Sequence, residues 1–427
     1  MTRLTALLGS AAFMLAALPA QAQAQELVIW HDLGDNGVKW FAAAGEAFAK
    51  ENPGVTITSV SFPTDQWFGR VIGAINTDTA PDLIYNNYER VIRIETQTER
   101  LMDMSDALAG LGEVPFLSEA DLSVASYDGK MVILPVQRVQ MGFGVRGSWL
   151  EAVGESFPAT WEDAKRVAGK FMTEDPDGNG QADTFGFALQ AANPRDLIHM
   201  LDLFTFGAGL RHTVVDPEGN VMIDDPRHAA VLKEFLRTFA DYKLVTPDTI
   251  NHSFGEMYQV IEGGRAGMFR VGDWNVRKWD SEALNGDFLV GPWPAHFEDL
   301  DNAVVIGGMR GVSVPENSPH RDIAVEFAQF LLSSEAQQAA LENVGAAVRN
   351  DLEVSDLSER RRYFAEAQGR LNAYDFPESF APYYPELEAT FHRILLDAIA
   401  NPPADLDAFI AETAATLRDE VARLTQG

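Results

Sequence analysis

His31 and Asp32 follow directly on the apolar run Leu27-Val28-Ile29-Trp30, where a short buried strand hands over to a polar turn containing Gly34, Asp35, Asn36 and Gly37. In open α/β sheets, ligands bind beyond the carboxyl ends of the strands, so this junction is the first candidate for ligand contact. A second group of oxygen donors lies in Asp175-Pro-Asp177-Gly-Asn179-Gly180-Gln181-Ala-Asp183. Asp175, Asp177, Asn179 and Asp183 fall at positions 1, 3, 5 and 9 of an EF-hand-like loop, glycine falls at 6, and the Gln181 carbonyl is available at 7. Position 12 is Gly186 in place of the bidentate glutamate, so structural calcium and a metal-free turn are both open readings. Arg138, just past Pro135, and Arg310, in Gly-Gly-Met-Arg-Gly, carry planar forks that suit vicinal hydroxyls, carboxylates or phosphates, and equally structural ion pairs. Gly142-Phe-Gly144-Val-Arg-Gly147 matches G-x-G-x-x-G, but it opens no long helix and no acid follows at a second strand end, so it is not a dinucleotide loop. There is no HExxH, GxSxG or phosphate-loop motif.

These residues need elements to hold them. After the turn, Trp40, Phe41, Ala44, Ala47 and Phe48 recur at helical spacing, Asn52-Pro53-Gly54 stops the helix, and Val55-Thr56-Ile57 resumes a strand. That is a βαβ unit. The spacing predicts a helix around Trp67–Ile75, a strand over Pro81–Tyr85 ending in Asn86-Asn87-Tyr88-Glu89-Arg90, and a strand over Lys130–Pro135 after an Asp128-Gly129 turn. Thr160 and Asp163 predict a capped helix carrying Trp161, Ala164, Val167, Ala168 and Phe171. Val304–Val314 is read as two strands around a glycine-rich turn, and Pro402-Pro403 as opening a last amphipathic helix. No internal repeat or low-complexity segment interrupts the pattern.

The chain of 427 residues is long enough for two or three domains, and its 46% hydrophobic content is that of a globular protein. Sixty-three acidic against 33 basic residues give a formal charge of -30, which repels phosphate backbones and argues against nucleic-acid binding. Arg3, the apolar stretch Leu4–Leu18 and the small-residue sites at Ala20-Gln21-Ala22 and Ala22-Gln23-Ala24 read as a secretory signal peptide over 1–24. The chain has no cysteine, hence neither disulfides nor a lipid-anchored cysteine at the cleavage site, and the expected location is a Gram-negative periplasm.

The opening LVIW, FAKENPGVTI and Thr79-Ala80-Pro81-Asp82-Leu83-Ile84-Tyr85 resemble the start of the family 1 extracellular solute-binding proteins, the sugar-capturing components of ABC importers related to maltose-binding protein. Phe157-Pro-Ala-Thr-Trp161, the run Gly263–Phe269 leading to Gly272-Asp273-Trp274, and the helix after Ser318 continue the resemblance over nearly the whole mature chain. It implies an α/β, two-lobed, type II periplasmic binding fold with the ligand between lobes. The expected lobes are 25–137 with 293–345 and 138–292 with 346–427. It also implies a monomer that captures a mono- or oligosaccharide by hinge closure and delivers it to a membrane permease, with no catalysis and no required cofactor. A binder of sugar acids or phosphate esters is the second reading, and a secreted carbohydrate-active enzyme with two carboxylates a distant one.

A sugar site needs flat aromatic faces and planar hydrogen-bonding groups in a cleft that excludes water. By resemblance, Trp274 is the stacking ring, with Asp273 beside it, and Glu89 is an acid contact next to Arg90. His31 and Asp32 occupy a place of polar contacts, and Tyr383 or Tyr384 a place of aromatic ones. Asn86 stands where the maltose binder has a stacking tryptophan, so an identical sugar is not implied. Trp67 is weighed as a ring at the cleft edge against a place in the first-lobe core, and Arg138 and Arg310 as cleft arginines. Some relatives hold calcium on a loop like Asp175–Asp183, which would lie away from the cleft.

Overall fold

The opening run forms the strand Gln25–His31, followed by the helix Gly34–Glu51 and the strand Val55–Ser61, which pairs parallel to the first. The helix buries Trp40, Phe41, Ala44, Ala47 and Phe48, the face that their spacing dictates. It ends where the Asn52 N–H returns to the Phe48 carbonyl and Gly54 turns with a φ of 96°, a conformation that favours glycine. The protein is known from a computed structural model that describes residues 25–426 apart from 119, 120, 123, 302, 304, 368–370 and 374–381. The expected signal segment, 1–24, lies outside the described residues.

One sheet runs through the molecule in the spatial order 55–61, 25–31, 83–87, 305–313, 134–145, 266–272 and 185–187. The first three strands are parallel, and 305–313 and 134–145 are antiparallel to their neighbours on this path. The sheet covers two separate cores. One gathers Leu27, Ile29, Trp40, Leu83 and Tyr85 with Phe327, Ala336 and Val348; the other gathers Phe143, Trp161, Phe187, Phe204 and Phe269 with Phe391 and Leu417. Leu134–Val145 belongs to both, because Leu134 and Val136 enter the first core while Met141, Phe143 and Val145 enter the second. This strand and Val305–Ser313 lie side by side where the lobes meet.

Three expectations are corrected. The run Lys130–Pro135 is not one strand: Lys130–Met131 closes a small hairpin on Ser126–Tyr127, and the crossing strand starts at Leu134. The chain does not recross at 293, since Leu289–Gly291 pairs with Val145–Phe143 and both Trp293 and Ala303 pack in the second core; the return is made by Val305–Ser313. Val305–Ser313 is also one strand with an irregularity at Arg310/Gly311 in place of two strands around a turn. Its glycines serve close approach, because a Cβ on Gly311 would strike the Leu134 carbonyl of the neighbouring strand. The same holds for the G-x-G-x-x-G decoy, where a Cβ on Gly144 would run into Val271 and Phe269. Among the described residues, no helix is long and apolar enough to cross a membrane.

Candidate functional site

The first-lobe wall is built from the carboxyl ends of the strands Gln25–His31 and Leu83–Asn87 and from the start of the helix Tyr88–Thr98. Asp32 is buried and takes two guanidiniums: Arg90 Nη1 donates to Oδ2 at 3.1 Å and Arg310 Nη2 donates to Oδ1. Burial works against its charge, but Arg310 and then Arg90 outweigh it and hold Asp32 below the ordinary carboxylate range. Asn86, buried beside them, accepts from both arginines at 3.5 Å and from the Asn87 N–H at 2.9 Å. His31 is fully buried; its Nδ1 accepts from the Leu33 N–H at 3.1 Å, and burial lowers its pKa to about 4, so the ring is neutral at physiological pH. Arg310 lies over the Tyr85 ring at 4.9 Å, and the Tyr85 hydroxyl donates to Gln137 on the crossing strand.

The second-lobe wall lies at the carboxyl end of the strand Ala266–Gly272. Asp273 opens the next helix there, and its Oδ2 accepts from the Gln140 N–H at 3.0 Å. Burial pushes its pKa well above the ordinary carboxylate value, and its other oxygen is buried without a hydrogen-bond partner. Asp273 and Tyr85 lie near enough for their charges to interact, which brings the two strand ends to one place. Trp274 is half-buried: its Nε1 donates to the Tyr258 hydroxyl at 3.2 Å and its ring covers Gly272, where a Cβ would collide with it.

Other predicted residues lie elsewhere. Trp67 is fully buried in the first-lobe core, so its ring is not at a cleft edge. Arg138 is corrected to a structural cation: Nη2 pairs with Asp121 at 2.6 Å and also reaches the Phe116 carbonyl, and Nη1 reaches that of Val348. It ties the crossing strand to the first lobe. Tyr383 packs half-buried against the second core, and its carbonyl accepts from the Glu386 N–H at 3.1 Å.

In the loop Asp175–Asp183, Asp175 accepts from the N–H groups of Asn179 and Gly180, and the Asn179 amide bridges Asp177 at 2.9 Å and Asp183 at 3.1 Å. The Asp177 pKa is raised by desolvation, with the nearby Asp175 and Asp183 adding to the rise. The loop's carboxylates are thus bonded to its own amides, and among the described residues no three His, Cys, Asp or Glu side chains are gathered as a metal ion needs.

Sequence reasoning missed the residues that link the lobes. Arg195, near the start of the helix Pro194–Gly207 in the second lobe, pairs with Glu89 of the first at 2.5 Å, and Asn87 Nδ2 also donates to Glu89 at 3.0 Å. Glu388, on the helix Tyr384–Ala400, has its pKa raised to about 7, first by burial; Arg195 counters this while Asp202 and Glu89 add to it. Ionising Glu388 in the folded protein is thus penalised, and its contribution to stability falls as pH rises between the ordinary value of 4.5 and about 7. Glu388→Gln is expected to raise the melting temperature at pH 8 and leave it unchanged at pH 4; an equal shift at both pH values would refute the assignment. Arg270 was also missed, although an arginine inside the buried run Ala-Gly-Met-Phe-Arg-Val-Gly is a legible anomaly.

Residues 33–338 match the family described as bacterial extracellular solute-binding protein. The chain is similar to the fructooligosaccharide ABC transporter substrate-binding protein FusA of Streptococcus pneumoniae, 24% identical over 242 residues. That match spans 52% of this chain and 44% of FusA, less than half of the relative's length. Among solved structures, the maltose-bound MalE3 of T. maritima aligns with a TM-score of 0.75 at 18% identity, covering 92% of this chain and 99% of that one. A solute-binding protein of Thermotoga lettingae bound with α-D-tagatose aligns at 0.74 with 16% identity, covering 93% and 100%. These likenesses carry the two-lobed fold.

Proposed function

The chain belongs to the bacterial extracellular solute-binding protein family, and from that premise we propose that it is the periplasmic substrate-binding component of an ABC importer for a carbohydrate. The observation that carries this reading is the Glu89–Arg195 ion pair between lobes, set beside the Asp32–Arg90–Arg310 cluster and the half-buried Trp274 ring. Polar forks and an aromatic face at the junction of two separately packed lobes are what a pyranose requires. His31, Asp32, Asn86, Glu89, Arg310 and Asp273 are assigned to the polar wall and Trp274 to stacking; Tyr383 is assigned to the rim. FusA is named for a fructooligosaccharide, and the two aligned structures hold maltose and tagatose. Capture works by hinge closure about the crossing strands: a ligand touching both walls stabilises the closed form, which the permease then reads. The segment 1–24 is assigned as the signal that exports the chain, and binding is assigned without chemistry on the ligand.

A thermal-shift panel of fructooligosaccharides, maltose, tagatose, ribitol and sugar acids tests the reading. A sugar at about 100 times its Kd adds about 2.7 kcal/mol, a clear rise in melting temperature. No shift with any carbohydrate or polyol, or release of shorter sugars on incubation with an oligosaccharide, defeats it. For the loop Asp175–Asp183 we propose structural calcium, away from the junction, that would draw the carboxylates off the loop's own amides. Calorimetry on chelator-treated protein is expected to show binding that raises the melting temperature; no heat at millimolar calcium leaves a self-bonded turn.

A further inference from the structure

The chain carries a formal charge of -30, yet the junction between its lobes is rich in arginine: Arg90, Arg93 and Arg310 from the first-lobe side, Arg195 and Arg270 from the second. Asp32 is shared by Arg90 and Arg310, and Glu89 takes Arg195. The like charges are close across the gap, for the Arg90 pKa is drawn down to about 10 by burial first and by Arg195 next. Two carboxyls that would balance them are weakened as anions by burial, which pushes the Asp273 pKa upward and that of Glu388 to about 7.

Arg270 makes no ion pair among the described residues; the Asp196 carboxylate acts on it only through space, without a hydrogen bond. Arg270 is 4% exposed, and the one hydrogen bond its side chain makes among the described residues runs from Nη1 to the Met141 sulfur at 3.5 Å, a weak acceptor. Its Nε and Nη2 are buried with no partner. The rings of Phe254, Tyr258 and Trp274 surround the guanidinium at 4.7, 5.8 and 5.8 Å. Aromatic faces stabilise a cation but accept no N–H bond as a carboxylate does, so a buried guanidinium edge facing only rings is left unsatisfied. Phe254, the nearest ring, is 42% exposed, so it is a surface cover over the cation and not part of the core. The side-on Nε/Nη2 edge is the one that meets two oxygens of a single oxyanion. The guanidinium lies 5.8 Å from the centroid of the Trp274 ring, which is assigned to stack on the sugar.

We propose that the ligand is an anionic carbohydrate, a sugar bearing a carboxylate or another oxyanion, and that Arg270 is the specificity residue that receives that group when the Phe254 ring swings aside. The proposal rests on the carbohydrate reading above. It is tested by calorimetry of the mature protein with glucuronate and galacturonate beside glucose and galactose, and with glucose 6-phosphate and glycerol 3-phosphate.

At least one anion is expected to bind roughly 10²-fold tighter than its neutral counterpart, as a desolvated charge pair allows. The uronates against the phosphate esters identify which oxyanion it is. In Arg270→Met the anion-to-neutral ratio is expected to collapse toward one, and in Arg270→Lys to recover in part, with circular dichroism confirming the fold of both. Neutral sugars binding as tightly as their acids in the wild type would overturn the inference and leave the carbohydrate reading intact. An anion preference unchanged in Arg270→Met would remove Arg270 from the role. No binding by any probe, neutral or anionic, would overturn both readings together.

Discussion

Asp32→Ala is expected to lower the stability of the folded protein by about 3–5 kcal/mol at neutral pH, because it strands two partly buried guanidiniums at once. Arg90 and Arg310 both donate to this carboxylate, and among the described residues their other side-chain acceptor is Asn86, at 3.5 Å from each. The sign of the pH dependence follows from the direction of the shift. The Asp32 pKa lies below its ordinary value in the folded protein, so its stabilisation is present above the unfolded value and is lost as pH falls through the folded one. Urea unfolding should therefore show a wide gap between wild type and variant at pH 7 that closes in strong acid. A gap of less than about 1 kcal/mol at pH 7 would place the cluster with ordinary surface ion pairs.

Trp274→Ala is expected to weaken carbohydrate binding by about 2–4 kcal/mol, roughly 30- to 1,000-fold in Kd. The ring is half-buried at a strand end, anchored by its Nε1 bond to Tyr258, so its face is already fixed before a ligand arrives. The variant also uncovers Gly272 and one side of Arg270, and so shifts selectivity along with affinity. Titration calorimetry against the best sugar of the panel reads this directly. A Kd within threefold of wild type would move the stacking role to another ring, with Tyr258 and Phe254 next in place.

The lobes meet through interactions that differ in kind. Hydrogen bonds between the crossing strands Leu134–Val145 and Val305–Ser313 persist through a hinge motion, since both lobes grow out of them. The Glu89–Arg195 pair and the charges around Glu388 connect side chains on separate lobes, and on the proposed hinge mechanism they part when the cleft opens. Closure is thus balanced by a few side chains, which leaves a ligand able to decide it.

What the chain's own pattern determined is local. The run Leu27–Ile57 specified its βαβ unit because apolar spacing and the Asn52-Pro53-Gly54 stop act over neighbouring residues, and Thr160 with Asp163 specified a capping box that the structure forms as read. The motifs around Trp274 and the opening strand likewise placed the family and, through it, the two-lobed fold. Partners were not legible. Asp32 meets Arg310 from 278 residues away and Glu89 meets Arg195 from 106, and a guanidinium reads the same in sequence whether it turns to Asp121, as Arg138 does, or hydrogen-bonds to no carboxylate, as Arg270 does. The glycines of Gly307-Gly308-Met309-Arg310-Gly311 read as a turn because φ freedom and absence of a Cβ are the same residue property; only the neighbouring strand at Leu134 decided that space was what they supply. Local preference is fixed by residues a few positions apart, whereas charge pairing and close approach depend on which surfaces the tertiary structure brings together.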